Sequence, residues 1–306
     1  MSRFEVLSTE EVRNLQSPDW LIEGIIPQGA TAQLFGREGS HKSFIALDLA
    51  FCVASGKDFH GHETLKGRVL FVAAEGGAPI ADRVRAWEEH NGIECEDVDF
   101  FMEEELMLDN HHTINEAIPE WRKGNYTLVI FDTLRTSIEG DEVSPKTMND
   151  ITRGMRMLQR ELNATIIVVH HSTKGDAKTY AGGGAMGTNI ATNIRVIHDE
   201  RGATTFECTK QKDAAKFETI TFRHKPVGKS LVMVSDDTEK VLVNVNPNDA
   251  TIVRLIQKYP DGIARSEFSA ECVGNGVAQS SCYRRFTALA NQGVIRIDDI
   301  GRVYPC

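Results

Sequence analysis

The sequence predicts an α/β fold: a mostly parallel central sheet covered by helices on both faces, followed by a small second unit. Three observations carry this expectation. Short, nearly continuous apolar runs at residues 69–72, 128–131 and 165–169 have the character of strands buried on both faces. Segments with apolar residues at helical spacing alternate with them. From residue 191 the pattern changes to short strands joined by turns, and beyond residue 249 it becomes helical again.

In chain order, residues 1–18 are polar and acidic, without the charged-then-apolar layout of a secretory signal. Residues 20–35 pass through the apolar stretch 21–26, a Pro27-Gln28-Gly29 turn and a strand at 31–35 that stops at Gly36. A Gly-bearing turn at 36–43 leads into a helix at 44–54, closed by Gly56. The same order repeats with a strand at 68–74 and a helix at 79–90, ended by Asn91-Gly92. The strand at 128–131 ends in Asp132, a long helix spans 145–162, and the strand at 165–169 ends in His170-His171. Strands at 193–198, 204–209, 217–223 and 231–235 are expected to extend the sheet in antiparallel fashion. The polar stretch 235–249 reads as a linker, dividing a first domain at residues 1–240 from a second at 249–306. In the second, helices are expected at 250–259, 265–270 and 279–292, and a hairpin at 293–305.

A chain of 306 residues, 41% of them apolar, can bury a substantial core. No apolar run is long enough to cross a bilayer, so no membrane partner and a cytoplasmic location are expected. The six cysteines are scattered, with neither C-x-x-C pairs nor zinc-finger spacing, which points to reduced thiols. His60 with His62, and His111 with His112, read as solvated or locally bonded imidazoles in preference to metal ligands. The net charge of -10 argues against a broad basic face for duplex DNA but allows a narrow basic channel.

Residues 36–43 read Gly-Arg-Glu-Gly-Ser-His-Lys-Ser. They fit G-x-x-x-x-G-K-[ST] except that His41 stands where the last glycine is expected. In such a loop successive backbone N–H groups curl around phosphate oxygens at a helix N-terminus, the Lys reaches the β- and γ-phosphates, and the Ser hydroxyl ligates Mg²⁺. Gly36, Gly39, Ser40, His41, Lys42, Ser43 and Phe44 are therefore the expected ATP-binding set. Asp132, delivered by an apolar strand to the same sheet edge, is the expected partner of Ser43 in holding Mg²⁺; the competing reading is a turn or helix cap. Glu75, followed by Gly76-Gly77, is suited to polarise an attacking water, the alternative being a solvated glutamate in a turn. His170 or His171, at another strand terminus, is suited to sense a γ-phosphate, the alternative being a buried histidine satisfied by backbone.

Taken together and in this order, these motifs resemble the RecA-like ATPase core. More narrowly, they resemble the RepA-like hexameric replicative helicases of plasmids and phages. The match covers residues 20–223 and rests on Trp20-Leu21-Ile22-Glu23-Gly24, Lys42-Ser43-Phe44-Ile45-Ala46-Leu47-Asp48-Leu49-Ala50, Ala73-Ala74-Glu75-Gly76, Phe131-Asp132-Thr133-Leu134 and His170-His171-Ser172-Thr173-Lys174. The resemblance implies a hexameric ring in which a basic finger from a neighbouring subunit completes each site. Lys210-Gln211-Lys212 matches that element, with Lys where Arg is common and a solvated lysine pair as the alternative. It also implies a pore loop for single-stranded DNA at residues 172–189, where Lys174 and Lys178 suit phosphates and Tyr180 suits a base. A replication initiator or a primase would be a further partner. Residues 249–306 look like a winged-helix unit, with 279–292 in the place of a recognition helix, 295–303 as the wing, and Arg284 and Arg285 facing phosphates; protein docking is the alternative.

Three functions share this ATP site: a DNA-stimulated ring helicase, a RecA-like ATPase of recombination or repair that does not unwind, and a nucleotide-dependent DNA-binding regulator. They separate on stimulation by single-stranded DNA, on strand displacement, and on sequence-specific duplex binding.

Overall fold

The computed structural model describes residues 6–14, 19–73, 77–103, 105–141, 144–171, 189–200, 202–212, 214–236, 247–277, 279–291, 294–298 and 301–305. The chain separates into two compact units, Met1–Ser235 and Asp236–Cys306.

The first unit opens with a short helix α1 (Thr9–Arg13), closed by a Ser8–Glu11 capping box, and a small antiparallel pair β1 (Trp20–Ile22) and β2 (Ile26–Pro27). Its body is a nine-stranded sheet. The parallel part comprises β3 (Thr31–Gly36), β4 (Val69–Val72), β5 (Val98–Phe101), β6 (Leu128–Phe131), β7 (Thr165–His171) and β8 (Thr192–His198). The antiparallel extension comprises β9 (Ala203–Gln211), β10 (Ile220–Val227) and β11 (Ser230–Ser235). The spatial order is β11-β10-β9-β8-β3-β7-β6-β4-β5.

Alternation along the buried strands divides the core in two, because successive side chains leave a strand on opposite faces. Leu128, Ile130, Ile167 and Val169 join one cluster with α2 (Lys42–Ser55) and α3 (Ala78–Asn91). Val129, Phe131, Ile166 and Val168 join the other with α4 (His111–Trp121) and α5 (Pro145–Leu162). Each fully buried aliphatic or aromatic side chain of this kind contributes roughly 1.5–3 kcal/mol. The α5 helix shows the matching stripe: Met148, Ile151, Met155, Leu158 and Leu162 are buried, at i, i+3 and i+4 spacing. Ser144 caps its start by accepting from the Thr147 N–H, and Asn163 ends it in the left-handed region.

The expected α/β class with a mostly parallel central sheet is what the chain forms. Besides short pieces such as α1, β1 and β2, two larger elements were not foreseen. The strand β5 is only half-buried and carries Asp99 among its apolar residues, so it lacks the continuous apolar signature of its neighbours. The helix α4 holds Pro119, which obscures its buried stripe of Ile114, Ile118 and Trp121. β10 starts at Ile220, not at 217, and runs on through exposed Arg223–Pro226, because those residues pair with β11 around the Gly228 turn.

The second unit packs α6 (Pro247–Ile256), α7 (Arg265–Gly274) and α8 (Gln279–Asn291) on a three-stranded sheet of β12 (Ile263–Ala264), β13 (Ile295–Ile297) and β14 (Arg302–Pro305), in the spatial order β12-β14-β13. Its core is its own, built on Ile252, Ile256, Phe268, Phe286 and Leu289. Pro247 opens α6, so the helix starts three residues earlier than its apolar pattern suggests.

Gly154, in the middle of α5, offers a test of this packing. Alanine there raises helix propensity by about 1 kcal/mol, but its Cβ would lie 2.1 Å from the Leu108 carbonyl oxygen. The clash decides the sign: Gly154→Ala is expected to destabilise the first unit by about 1–3 kcal/mol, read as a lower urea midpoint.

Candidate functional site

Four strand ends of the parallel sheet meet at one edge, and each contributes to a single site. The central strand β3 ends at Gly36, where an added Cβ would lie 2.2 Å from the Val196 carbonyl oxygen on β8; only glycine fits this close approach. Residues 36–43 then turn back into α2. Gly39 takes φ +74°, and His41 takes φ 66°, ψ 19°, as the residue preceding the helix. His41 therefore adopts the left-handed conformation the missing glycine would favour, despite a Cβ that makes it costlier by about 1–2 kcal/mol.

The His41 ring offsets that strain through packing. It meets His198 edge-on at 4.4 Å between centroids, lies 5.4 Å from His224, and has its Nδ1 3.3 Å from Thr204 Oγ1. Burial, then the neighbouring His198 and His224, push its pKa down to about 4, so it is neutral at physiological pH. These three partners on β8, β9 and β10 were not foreseen, because they lie more than 150 residues away in sequence and carry no motif.

Lys42 is buried, and its ammonium donates to the carbonyl oxygens of Gly36 at 3.1 Å and Arg37 at 2.7 Å. Burial brings its pKa down to about 8, opposed by Asp132 and Glu38. Ser43 Oγ donates to Asp132 Oδ1 at 3.0 Å, so the tip of β6 meets the first turn of α2. Hydroxyl and carboxylate side by side next to a lysine form an oxygen donor set that fits Mg²⁺ on a polyphosphate. Asp132 thus faces Ser43, and Thr133 makes no side-chain cap to the short turn of helix at Leu134–Ser137. The Ser40 side chain lies 3.5 Å from the Lys42 ammonium.

His170, on β7 beside Phe35 of β3, is almost fully buried. Burial first, then His171 and Lys42, lower its pKa to about 4, so its imidazole is neutral. His171 is half-buried beside Gly36. A cavity of about 90 Å³ opens at this edge, lined by Ser43, Ala73, Pro79, Ile80, Asp132 and Thr133 together with Arg83. Arg83 lies over the Phe44 ring at 4.6 Å; α3 delivers it there, and nothing in its sequence context marks it.

Glu75 lies outside the described residues, as do Lys174, Lys178 and Tyr180. Lys210 donates its ammonium to the Ile190 carbonyl oxygen at 2.7 Å and is part-buried, whereas Lys212 is exposed. In the second unit, only the backbone of Arg284 is described. Of the histidines at 60, 62 and 111, His60 is bonded to Asp48 and Ser235, His62 to the Glu23 carbonyl and His111 to the Asp150 carbonyl. Among the described residues there is no cluster suited to a resident metal made of His, Cys, Asp and Glu alone, and no helix long and apolar enough to cross a membrane.

Residues 2–177 match the family model described as AAA domain. The chain belongs to that family. As a member it is a P-loop ATPase, and its expected substrate is ATP. No curated protein matches it. Among solved structures it is similar to the RadB recombinase, at 16% identity and a TM-score of 0.49, over 68% of this chain and 91% of that one. It is also similar to a KaiC-like protein from Pyrococcus horikoshii OT3, at 16% identity and a TM-score of 0.49, over 71% and 95% of the two chains.

Half-buried His41 and buried His170 set a pH dependence for this ATPase. A neutral imidazole with a folded pKa near 4 and an ordinary unfolded value of 6.5 binds fewer protons in the native state between those limits. Their contribution is complete above pH 6.5 and is lost as the pH falls toward 4. The expected outcome is a shallower decline of urea stability across this window in His170→Gln than in the parent.

Proposed function

We propose that this chain is a DNA-stimulated motor of the RepA-like kind, which hydrolyses MgATP between subunits of a hexameric ring and moves along single-stranded DNA. The observation that carries the ATP half of this reading is the 3.0 Å contact of Ser43 with Asp132 beside the buried Lys42. In this reading the N–H groups of residues 39–44 bind phosphate oxygens, and Lys42 exchanges its backbone carbonyl partners for the β- and γ-phosphates. Ser43 and Asp132 hold Mg²⁺, directly or through water. Bound MgATP supplies the phosphoanhydride and the charge neutralisation that hydrolysis needs.

Glu75 is the proposed base, an ionised carboxylate that orients the attacking water by accepting its proton. Arg83, unnoticed in the sequence, lines the same cavity and adds positive charge beside Ser43 and Asp132. His170 is favoured over His171 as the γ-phosphate sensor, because it is the more deeply buried of the two and its neutral imidazole lies on the strand beside the phosphate loop, in the field of Lys42. Lys212 is favoured over Lys210 as the finger acting in a neighbouring subunit, because it is exposed whereas Lys210 is part-buried. The motor half rests on the sequence resemblance and on residues 172–189, which follow the proposed sensor directly and combine Lys174, Lys178 and Tyr180. An initiator or a primase remains the proposed replication partner.

Lys42→Ala should abolish turnover. Glu75→Gln should keep nucleotide binding while slowing hydrolysis by about 10²–10⁴-fold; normal turnover in that variant would remove the base assignment. Single-stranded DNA should raise ATP turnover, and the protein should displace an annealed oligonucleotide in the presence of ATP. Stimulation without displacement would favour the recombination-type ATPase, and sequence-specific duplex binding with neither would favour the regulator. Mixing Lys42→Ala with Lys212→Ala subunits should restore activity if the finger acts across an interface.

A further inference from the structure

A second cavity, of about 290 Å³, lies in the first unit beside α2, α3 and the end of β11. Three of its lining side chains are joined by hydrogen bonds: Asp48 in the middle of α2, His60 in the loop after it, and Ser235 at the end of β11. Asp48 Oδ2 lies 2.7 Å from His60 Nε2, and His60 Nδ1 lies 2.8 Å from Ser235 Oγ. A carboxylate can only accept, so in the neutral imidazole Nε2 carries the proton and Nδ1 accepts from the Ser235 hydroxyl. Both separations fall within the roughly 2.6–3.2 Å over which a base takes the proton of a nucleophile while a third group orients that base.

The arrangement is held from outside the three residues. Trp87 Nε1 donates to Asp48 Oδ1 at 2.7 Å, which fixes the carboxylate and leaves its charge in place. His60 takes φ 49°, a left-handed backbone that residues with a Cβ rarely adopt, and its surroundings impose that conformation. Its ring meets Phe59 and Phe222 edge-on, with centroids at 4.7 and 4.6 Å. The retained charge of Asp48 has a use here, because it stabilises the imidazolium that forms when His60 takes a proton. His60 and Ser235 are half-buried and line the cavity, with Trp87, Val232 and Met233 as buried apolar lining beside them. Lys57, exposed, also lines it and is the cation available to a developing oxyanion.

We propose that Ser235 is the nucleophile of an acyl-transfer site that hydrolyses small carboxylic esters, with His60 as general base and Asp48 as the group that orients it. The Ser235 oxygen bonds to the acyl carbon as its proton passes to His60 Nδ1. The ester C–O bond then breaks, and the imidazolium gives that proton to the leaving oxygen, releasing the alcohol. Water repeats the sequence, giving a proton to Nδ1 and its oxygen to the acyl carbon; Ser235 leaves, regains the proton, and the carboxylic acid departs. A volume of about 290 Å³ limits the substrate to a short acyl chain on a small alcohol. None of these residues belongs to the set assigned to ATP, so the site stands apart from that reading.

Incubation of the full chain with p-nitrophenyl acetate tests the assignment. The expected result is release of nitrophenol faster than with the urea-denatured chain, which offers the same lysines and histidines, and an acetyl group on Ser235 after acid quench, located by peptide mass mapping. Ser235→Ala should fall to the rate of the denatured chain, His60→Gln should slow acylation by at least about 10²-fold, and Ser235→Cys should keep it. An acetyl group found only on lysines of the parent chain, or none at all, would overturn the proposal without reference to any variant. So would parental rates in Ser235→Ala or His60→Gln with unfolding midpoints at the parental value.

Discussion

The site depends on the parallel register of β3, β7, β6 and β4. Evenly spaced pairing brings the carboxyl ends of these strands to one edge of the sheet, with Gly36 opposite His171, and Phe131 and Val72 level with Val168 three residues before it. Parallel strands require long crossovers, so the residues gathered at this edge come from segments far apart in the chain. Burial on both faces fixes the register, since a one-residue slip would exchange the two apolar clusters.

Upon that frame, α2 has two tasks. Its first turn presents Lys42 and Ser43 to the strand ends, and its middle carries Asp48, whose carboxylate accepts from Trp87 and faces His60. A helix buried nearly all around cannot shift freely, which keeps the phosphate-facing end in place without bound nucleotide. The departure at His41 fits the same logic. The left-handed conformation is retained, and the ring that makes it costly is built into a histidine cluster from the antiparallel strands. The ATP loop is thereby joined to the extension of the sheet as well as to its parallel core.

Much of this was legible in the chain itself. The α/β class, the strand tips bearing Asp132 and His170, and the phosphate loop follow from local signals: apolar runs, helical spacing and a short motif. β5 and α4 were not, because a half-buried edge strand and a proline-bearing helix dilute the periodicity on which such reading rests. Arg83 shows a different limit. A single arginine on an amphipathic helix looks like any solvated charge until α3 packs against α2 and sets it over Phe44.

The sequence by itself determined which residues are the candidates for binding a polyphosphate and its metal, since that chemistry demands a short loop of fixed composition and a carboxylate after an apolar strand. Only the tertiary structure decided which histidine is almost fully buried, which of Lys210 and Lys212 is the more exposed, and which side chains the carboxylate of Asp48 meets. Those outcomes are contacts between residues distant in sequence, set by desolvation and hydrogen-bond geometry that no local pattern encodes.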